Sequence, residues 1–441
     1  MRESLNRVLN AFESWVTPTQ WVDAREVLSQ QREQVERTIA NSPNARIYGF
    51  TTLLGHLDSV TVDSVGQTEL LRAHLIGPTT IAPAEFMQLV ALCKAEQLHH
   101  GGSGIHPHTF DHVIDATTTE NGSSGSWLSS YGAGDVVPAA WWVRSMIGDA
   151  ASGMLTQGDL IALLNGNFYS TALATCASMS AIDVIAEFLA RATVLCSFPR
   201  SAKERVRSTL SPAILGAFPT ESEFDDALGQ LPVSLRDAGA YVLPATTVID
   251  AIGKSLDRRL GSASANPLFV TSAEGNLSAE SQSSFLDPTV TFALTNLIQY
   301  LHFAIGAMQR MIVHLCERAL AATTTPNPQF VQPPKVAQAL LERARSMAGQ
   351  LPLQFSGSES EGVEDLRDLS LLTAQSVLEL IAIGRDVLAL LDSTLAASDR
   401  SHAGPSDLFR AELIRLLVNG GQLDAQLLFA RFAPLKNPFL H

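Results

Sequence analysis

The chain has 441 residues, 46% hydrophobic and only 17% charged, which excludes a disordered protein and implies a large buried core spread over two or three structural units. A formal net charge of −14 excludes nonspecific nucleic-acid binding, which needs Lys and Arg to displace counterions from phosphates. Neither a leader nor a membrane span is expected. The N-terminal MRESLNRVLNAFESW is amphipathic and charged throughout, and the apolar stretch 294–315 is interrupted by His302, Gln309, Arg310 and His314, as suits a bundle helix.

Taken in chain order, helical patterning dominates. The stretch 85–98 (EFMQLVALCKAEQL) places apolar residues at three- and four-residue spacing and predicts a helix. Five of the eleven histidines follow it closely: His99, His100, His106, His108 and His112. His108 and His112 have the i, i+4 spacing of a helical metal pair, with Asp111 and Cys93 near in sequence. No HExxH or comparable signature accompanies them, so an exposed polar segment without metal is the expectation. Further on, Asp287-Pro288 opens a run to Ala321 whose only internal helix breaker is Gly306. The stretch 371–397 predicts another long helix, whereas 323–334 (TTTPNPQFVQPP) and 357–362 (GSESEG) read as loops. Convincing strands are few. A mainly α protein with a long central helix bundle follows. Cys93, Cys176, Cys196 and Cys316 lack CxxC spacing and fit reduced, buried thiols of a cytoplasmic protein.

Four glycine-rich or polar patches interrupt the helical pattern and are candidate site loops: YGFTTLLG (48–55), GSGIHP (102–107), YGAGD (131–135) and LNG (164–166). Their order and spacing carry more than any one of them. YGFTTLLG resembles the YGxNTGFG loop of the aromatic amino acid ammonia-lyases and aminomutases. QTELLRAHLIG (67–77) resembles that family's LQxxLxxSHAAG helix, and GGSGIHP its GYSGIRP. GSWLSSYGAGDVVP stands where GSVGASGDLAP is expected, and ALLNGNFYSTALA (162–174) is close to ALLNGTQVSTALA. SLRD (234–237), SASANPLFVTSAEGN (262–276) and VED (363–365) are similar to SLRC, SxTDNPLxxxxGGN and QED. The motifs are collinear from residue 48 into the last third of the chain, and they resemble the histidine ammonia-lyase branch in particular.

The resemblance implies a class I-lyase-like, fumarase/aspartase-type helical fold, assembled as a homotetramer whose sites draw on three subunits. It divides this chain into an N-terminal domain, 1–149, and a central and C-terminal bundle domain, 150–441. It also implies a methylidene-imidazolone electrophile, closed from an internal Ala-Ser-Gly by attack of the glycine amide on the alanine carbonyl and loss of the serine hydroxyl. Here the triplet before Asp135 is Gly132-Ala133-Gly134. Alanine has no leaving group on Cβ, so the electrophile is not expected to form and no other cofactor is implied.

By the same resemblance Tyr48 is the catalytic base, although a phenol of ordinary pKa about 10 needs activation to take a proton at neutral pH. Arg236 would grip a substrate carboxylate, a task suited to its bidentate fork. His74, Asn165 and Glu364 would bind substrate, with His74 and Glu364 matching the histidine-lyase branch. Leu277 stands at a substrate-contacting position that is phenylalanine in the pattern. Val233, Val363 and Thr51 also depart from the family's tyrosine, glutamine and asparagine. Three functions are compatible with this mixture. The first is a lyase or isomerase without imidazolone, acting by tyrosine-base proton abstraction on an amino acid or an activated, for example N-oxidised, derivative. The second is an ordinary histidine or aromatic amino acid ammonia-lyase or aminomutase disabled by a Ser-to-Ala change at 133. The third is a non-catalytic binding or scaffold homologue. Retention of Tyr48 and Arg236 favours the first.

Overall fold

The computed structural model describes residues 18–42, 44–61, 66–120, 122–148, 154–221, 230–322, 324–325, 327–349, 360–398, 404–418 and 438. The chain begins with α1 (Pro18–Asn41), and α2 (Gln67–His74) follows the tyrosine loop. Next come α3 (Ala84–His99), α4 (Pro107–Ala116), α5 (Val136–Ile147), α6 (Asp159–Leu164) and α7 (Phe168–Leu195). Short helices α8 (Arg200–Val206), α9 (Pro212–Ala217) and α10 (Val233–Arg236) lead into α11 (Gly239–Leu260). The remaining helices are α12 (Thr289–Ala321), α13 (Pro333–Ala348), α14 (Ser370–Ala397) and α15 (Ser406–Leu417). Described strands are short and pair antiparallel in two ribbons: β1 (Thr80–Ala82) with β2 (Ser123–Gly125), and β3 (Leu268–Thr271) with β4 (Leu277–Glu280).

The bundle is centred on α7, α12 and α14, which pack on one another along their lengths, with α11, α13 and α15 around them. At 33 residues α12 is about 50 Å long. α7 is buried on almost every side, which its sequence allows because Ala, Thr, Ser and Cys fill the faces that a surface helix would give to charged residues. Two helical stretches, 159–195 and Thr289–Ala321, are long and apolar enough to cross a membrane by length and composition, but 89% and 61% of their apolar windows are buried within the fold. All four cysteines are buried and none is in a disulfide.

The three long helices predicted from periodicity are α3, α12 and α14, matched at both ends to within a residue or two. The loop 323–334 holds a short 3-10 turn, Pro328–Phe330, and its last two residues already open α13. Of 357–362, the residues from Ser360 form a single 3-10 turn, and 357–359 lie outside the described residues. The amphipathic N-terminal 1–15 and the domain boundary at 149/150 also lie outside them.

Candidate active site

Beside the main core, a small apolar cluster of Val35, Ile47, Phe50, Ile161 and Phe269 supports the tyrosine loop, and Tyr48 and Leu277 pack against it. Gly49 makes the loop possible. Its φ is +68°, and a Cβ there would lie 2.6 Å from Ile161 Cβ. Thr51 closes the turn locally: its Oγ1 accepts from the Ile47 amide at 2.8 Å and donates to the Ala45 carbonyl at 2.7 Å. Tyr48 is thereby aimed back across the loop, where its hydroxyl oxygen accepts the Gly55 N–H at 2.9 Å. Burial raises the phenol above its ordinary pKa. The Gly55 hydrogen bond opposes this, and the negative charges of Glu364 and Asp58 push it further up.

Tyr48, His74, Asn165 and Glu364 all line one cavity of about 330 Å³, together with Tyr131 and an apolar wall that includes Leu70, Val136 and Ile161. Tyr48 and Glu364, 316 positions apart in sequence, are thus brought to the same cavity as His74 and Asn165. His74 sits in the last turn of α2 with Nδ1 2.7 Å from the Leu70 carbonyl. A carbonyl only accepts, so Nδ1 carries the proton, and in the neutral ring Nε2 is the acceptor. Glu364 is held by Ser360, whose Oγ donates to Oε2 at 2.6 Å. Ser360 and its neighbour Glu361 adopt φ of 51° and 56°, a left-handed conformation unusual for residues with side chains and often stored beside functional sites. Asn165 ends α6. Its Nδ2 donates to the Asn266 carbonyl, and its own carbonyl accepts from Lys94 Nζ at 2.8 Å.

Lys94 was not singled out by sequence motifs, yet its helix announces it: α3 is buried on all faces, so a lysine within it has nowhere else to go. Its ammonium lies 4.6 Å above the Phe168 ring, and burial lowers its pKa to about 7.

The triplet Gly132-Ala133-Gly134 directly follows Tyr131 of the cavity wall. Gly132 has φ +95° and Gly134 φ +79°, and Ala133 is buried. The Gly132 carbonyl accepts the Asp368 amide at 2.6 Å, and a Cβ on residue 132 would stand 2.5 Å from the Asp368 carbonyl oxygen. The triplet thus lacks both the hydroxyl and the first-position methyl of Ala-Ser-Gly, and the residues present do not fit the imidazolone. Asp135 accepts from Ser130 Oγ at 2.8 Å and from the Ser170 amide at 2.9 Å, and its burial raises its pKa. Behind the loop, the fully buried Arg259 pairs with Asp368, which also accepts from Thr291 Oγ1 at 3.0 Å and the Ser370 amide at 3.0 Å.

Two expected substrate contacts are placed elsewhere in the single chain. Arg236 is exposed at the end of α10, its guanidinium donating to the Leu231 carbonyl, and Leu277 opens β4 against the apolar cluster. Neither lines the cavity. His108 and His112 do meet, with ring centroids 4.5 Å apart and planes tilted by 58°, but among the described residues no group of three His, Cys, Asp or Glu is arranged to hold a metal ion.

Residues 4–197 match the family model of aromatic amino acid lyases. The match spans less than half of the chain, and it marks this part as similar to that family. Solved structures share its fold from end to end. Pantoea agglomerans phenylalanine aminomutase superposes with a TM-score of 0.71 at 15% identity, covering 94% of this chain and 92% of its own. The ergothioneine-degrading ergothionase of Treponema denticola gives 0.71 at 15% identity and 94% of both chains. Histidine ammonia-lyase of Trypanosoma cruzi gives 0.66 at 16% identity, covering 93% and 91%. At such identities the likeness is one of fold: the mainly helical ammonia-lyase and aminomutase architecture.

Proposed function

We propose that this chain is a lyase-type enzyme that works without an imidazolone, with Tyr48 removing a proton from carbon and an amino acid or activated amino-acid derivative as substrate. The observation that carries the reading is the convergence of Tyr48, His74, Asn165 and Glu364 on one cavity, with Tyr131, the residue just before the Ser-less triplet, on its wall. Ala133 Cβ has nothing to lose, so no electrophilic methylene arises and the leaving nitrogen must depart without that covalent assistance. An N-oxidised or otherwise activated amine meets that requirement. The ergothioneine-degrading neighbour fits the same idea of an activated derivative.

Tyr48 starts as a poor base, because burial and Glu364 both favour its neutral form. A substrate nitrogen carrying positive charge between Glu364 and Tyr48 would reverse the second of these effects, so substrate binding itself would help ionise the phenol. Arg236 enters this reading as the carboxylate grip donated by another subunit of a cytoplasmic homotetramer. What supports that assembly is the exposure of Arg236 and of large apolar side chains next to site residues: Val233 is 74% exposed, Val363 64% and Leu366 51%. Turnover on a panel of amino acids and N-oxidised derivatives, followed by mass spectrometry with Tyr48→Phe as control, tests the reading. Product that vanishes in the control supports it. Absence of turnover, with ammonia release gained by Ala133→Ser, favours a disabled ordinary lyase instead.

A further inference from the structure

We propose that Tyr131, the residue just before the altered triplet, is a second catalytic residue of this cavity and delivers the proton to the departing nitrogen. The proposal rests on the lyase reading above and assigns a role to a residue that stands where the family's GSVGASGDLAP pattern has glycine.

Three features aim the Tyr131 ring. Its side chain is half-buried and lines the same cavity as Tyr48, His74, Asn165 and Glu364. Its backbone is tethered on both sides: Ser130 Oγ donates to Asp135 at 2.8 Å and accepts the Gly132 amide at 3.2 Å, while the Gly132 carbonyl is held by the Asp368 amide at 2.6 Å. Finally, the turn that follows needs glycine at 132, with φ +95° and no room for a Cβ against Asp368. The replacement of alanine by glycine is thus tied to the direction in which Tyr131 points.

The other polar groups on the wall are poorly suited to donating that proton. His74 has its Nδ1–H on Leu70, so that in the neutral ring Nε2 is an acceptor, and the Asn165 Nδ2 serves the Asn266 carbonyl. Glu364 accepts from Ser360, whose hydroxyl is a weak acid, and His56 stands exposed at the rim. Tyr48 is taken up as the base. A tyrosine hydroxyl can both donate a proton and take one back from solvent, as a general acid must.

The step balances without a co-reactant. Tyr48 phenolate takes a proton from carbon, and that electron pair forms the C=C bond. The C–N bond breaks with its pair going to nitrogen, and the Tyr131 hydroxyl gives that nitrogen its proton. Tyr48 ends neutral and Tyr131 as phenolate, and exchange with solvent restores both. A weakly basic N-hydroxyamine, neutral at physiological pH, needs this proton to leave. A quaternary ammonium leaves as a neutral tertiary amine and does not.

The test compares wild type, Tyr131→Phe, Tyr131→His and Tyr48→Phe on two probes sharing one carbon skeleton, an N-hydroxy amino acid and its N,N,N-trimethyl counterpart. Tyr131→Phe is expected to lose about 10²–10⁴-fold in kcat on the N-hydroxy probe and less than about tenfold on the trimethyl probe. Tyr131→His, which keeps a proton donor, is expected to recover part of the loss, and Tyr48→Phe to lose both activities. Equal losses on the two probes, or none on either while Tyr48→Phe is inactive, would overturn the role of Tyr131 and leave the lyase reading intact. A wild-type protein inactive on both probes would overturn the reading and this inference with it.

Discussion

Lys94 offers a measurable consequence of how the site is built. Lowering its pKa from the ordinary 10.5 to about 7 means that the folded chain disfavours the charged ammonium, by about 5 kcal/mol at about 1.4 kcal/mol per pH unit. The sign follows from proton counting. Between these two values the unfolded chain binds more protons than the folded one, so this lysine's cost is greatest below pH 7 and is relieved as pH rises toward 10.5. Lys94→Met keeps the stem and removes the charge, but it leaves the Asn165 carbonyl without its donor, a loss of about 1–3 kcal/mol. The variant should therefore be more stable than wild type at pH 6, by about 2–4 kcal/mol, and less stable at pH 10, where most of the wild-type penalty is gone. With an unfolding entropy near 2.1 cal/mol/K per residue, each kcal/mol moves Tm of a 441-residue chain by about 1 °C. Scanning calorimetry at fixed protein concentration from pH 6 to 10 should show the Tm difference between the two proteins change sign. Glu96, whose buried carboxyl is pushed up to about 7, titrates in both proteins and cancels in the comparison. A difference that stays constant across this range would refute the reasoning.

Other consequences follow from the loop and its anchors. Asp368→Ala removes the nearer carboxylate from the buried Arg259 guanidinium, leaving only Asp287 at 3.9 Å, and should destabilise the fold by about 3–5 kcal/mol, read as a lower melting temperature. Gly132→Ala forces a Cβ to within 2.5 Å of the Asp368 carbonyl at a positive φ, so it should cost about 1–3 kcal/mol or more and reduce any turnover through displacement of Tyr131. Ala133→Ser restores a hydroxyl but not the alanine before it. Intact-mass measurement should find no loss of water, and assay should find no gain of ammonia release. Arg236→Gln should leave the melting temperature nearly unchanged, because the exposed side chain supports only the Leu231 carbonyl, while raising KM for carboxylate-bearing substrates.

Much of this arrangement was legible in the sequence because helical periodicity and glycine loops are local signals. α3, α12 and α14 announce themselves through apolar spacing and a proline start, and Tyr48, His74, Asn165 and Glu364 sit in motifs whose order survives. Arg236 and Leu277 mark where that legibility ends. Their motifs are readable, but the folded chain places neither side chain on the cavity wall. Tyr131, Lys94 and Ser360 escaped for another reason. Lys94 acts through a contact 71 positions away at the end of α6, Tyr131 through its place on the cavity wall, and Ser360 through a local turn of unusual backbone conformation beside Glu364, none of which helical periodicity records.

The central claim is that the Ser-less cavity still performs base-initiated elimination. The most direct measurement is mass-spectrometric turnover of N-oxidised and unmodified amino acids by wild type and Tyr48→Phe side by side. The account predicts an unsaturated product from an activated substrate that disappears in Tyr48→Phe. Product formed equally by both proteins, or by neither, would contradict it.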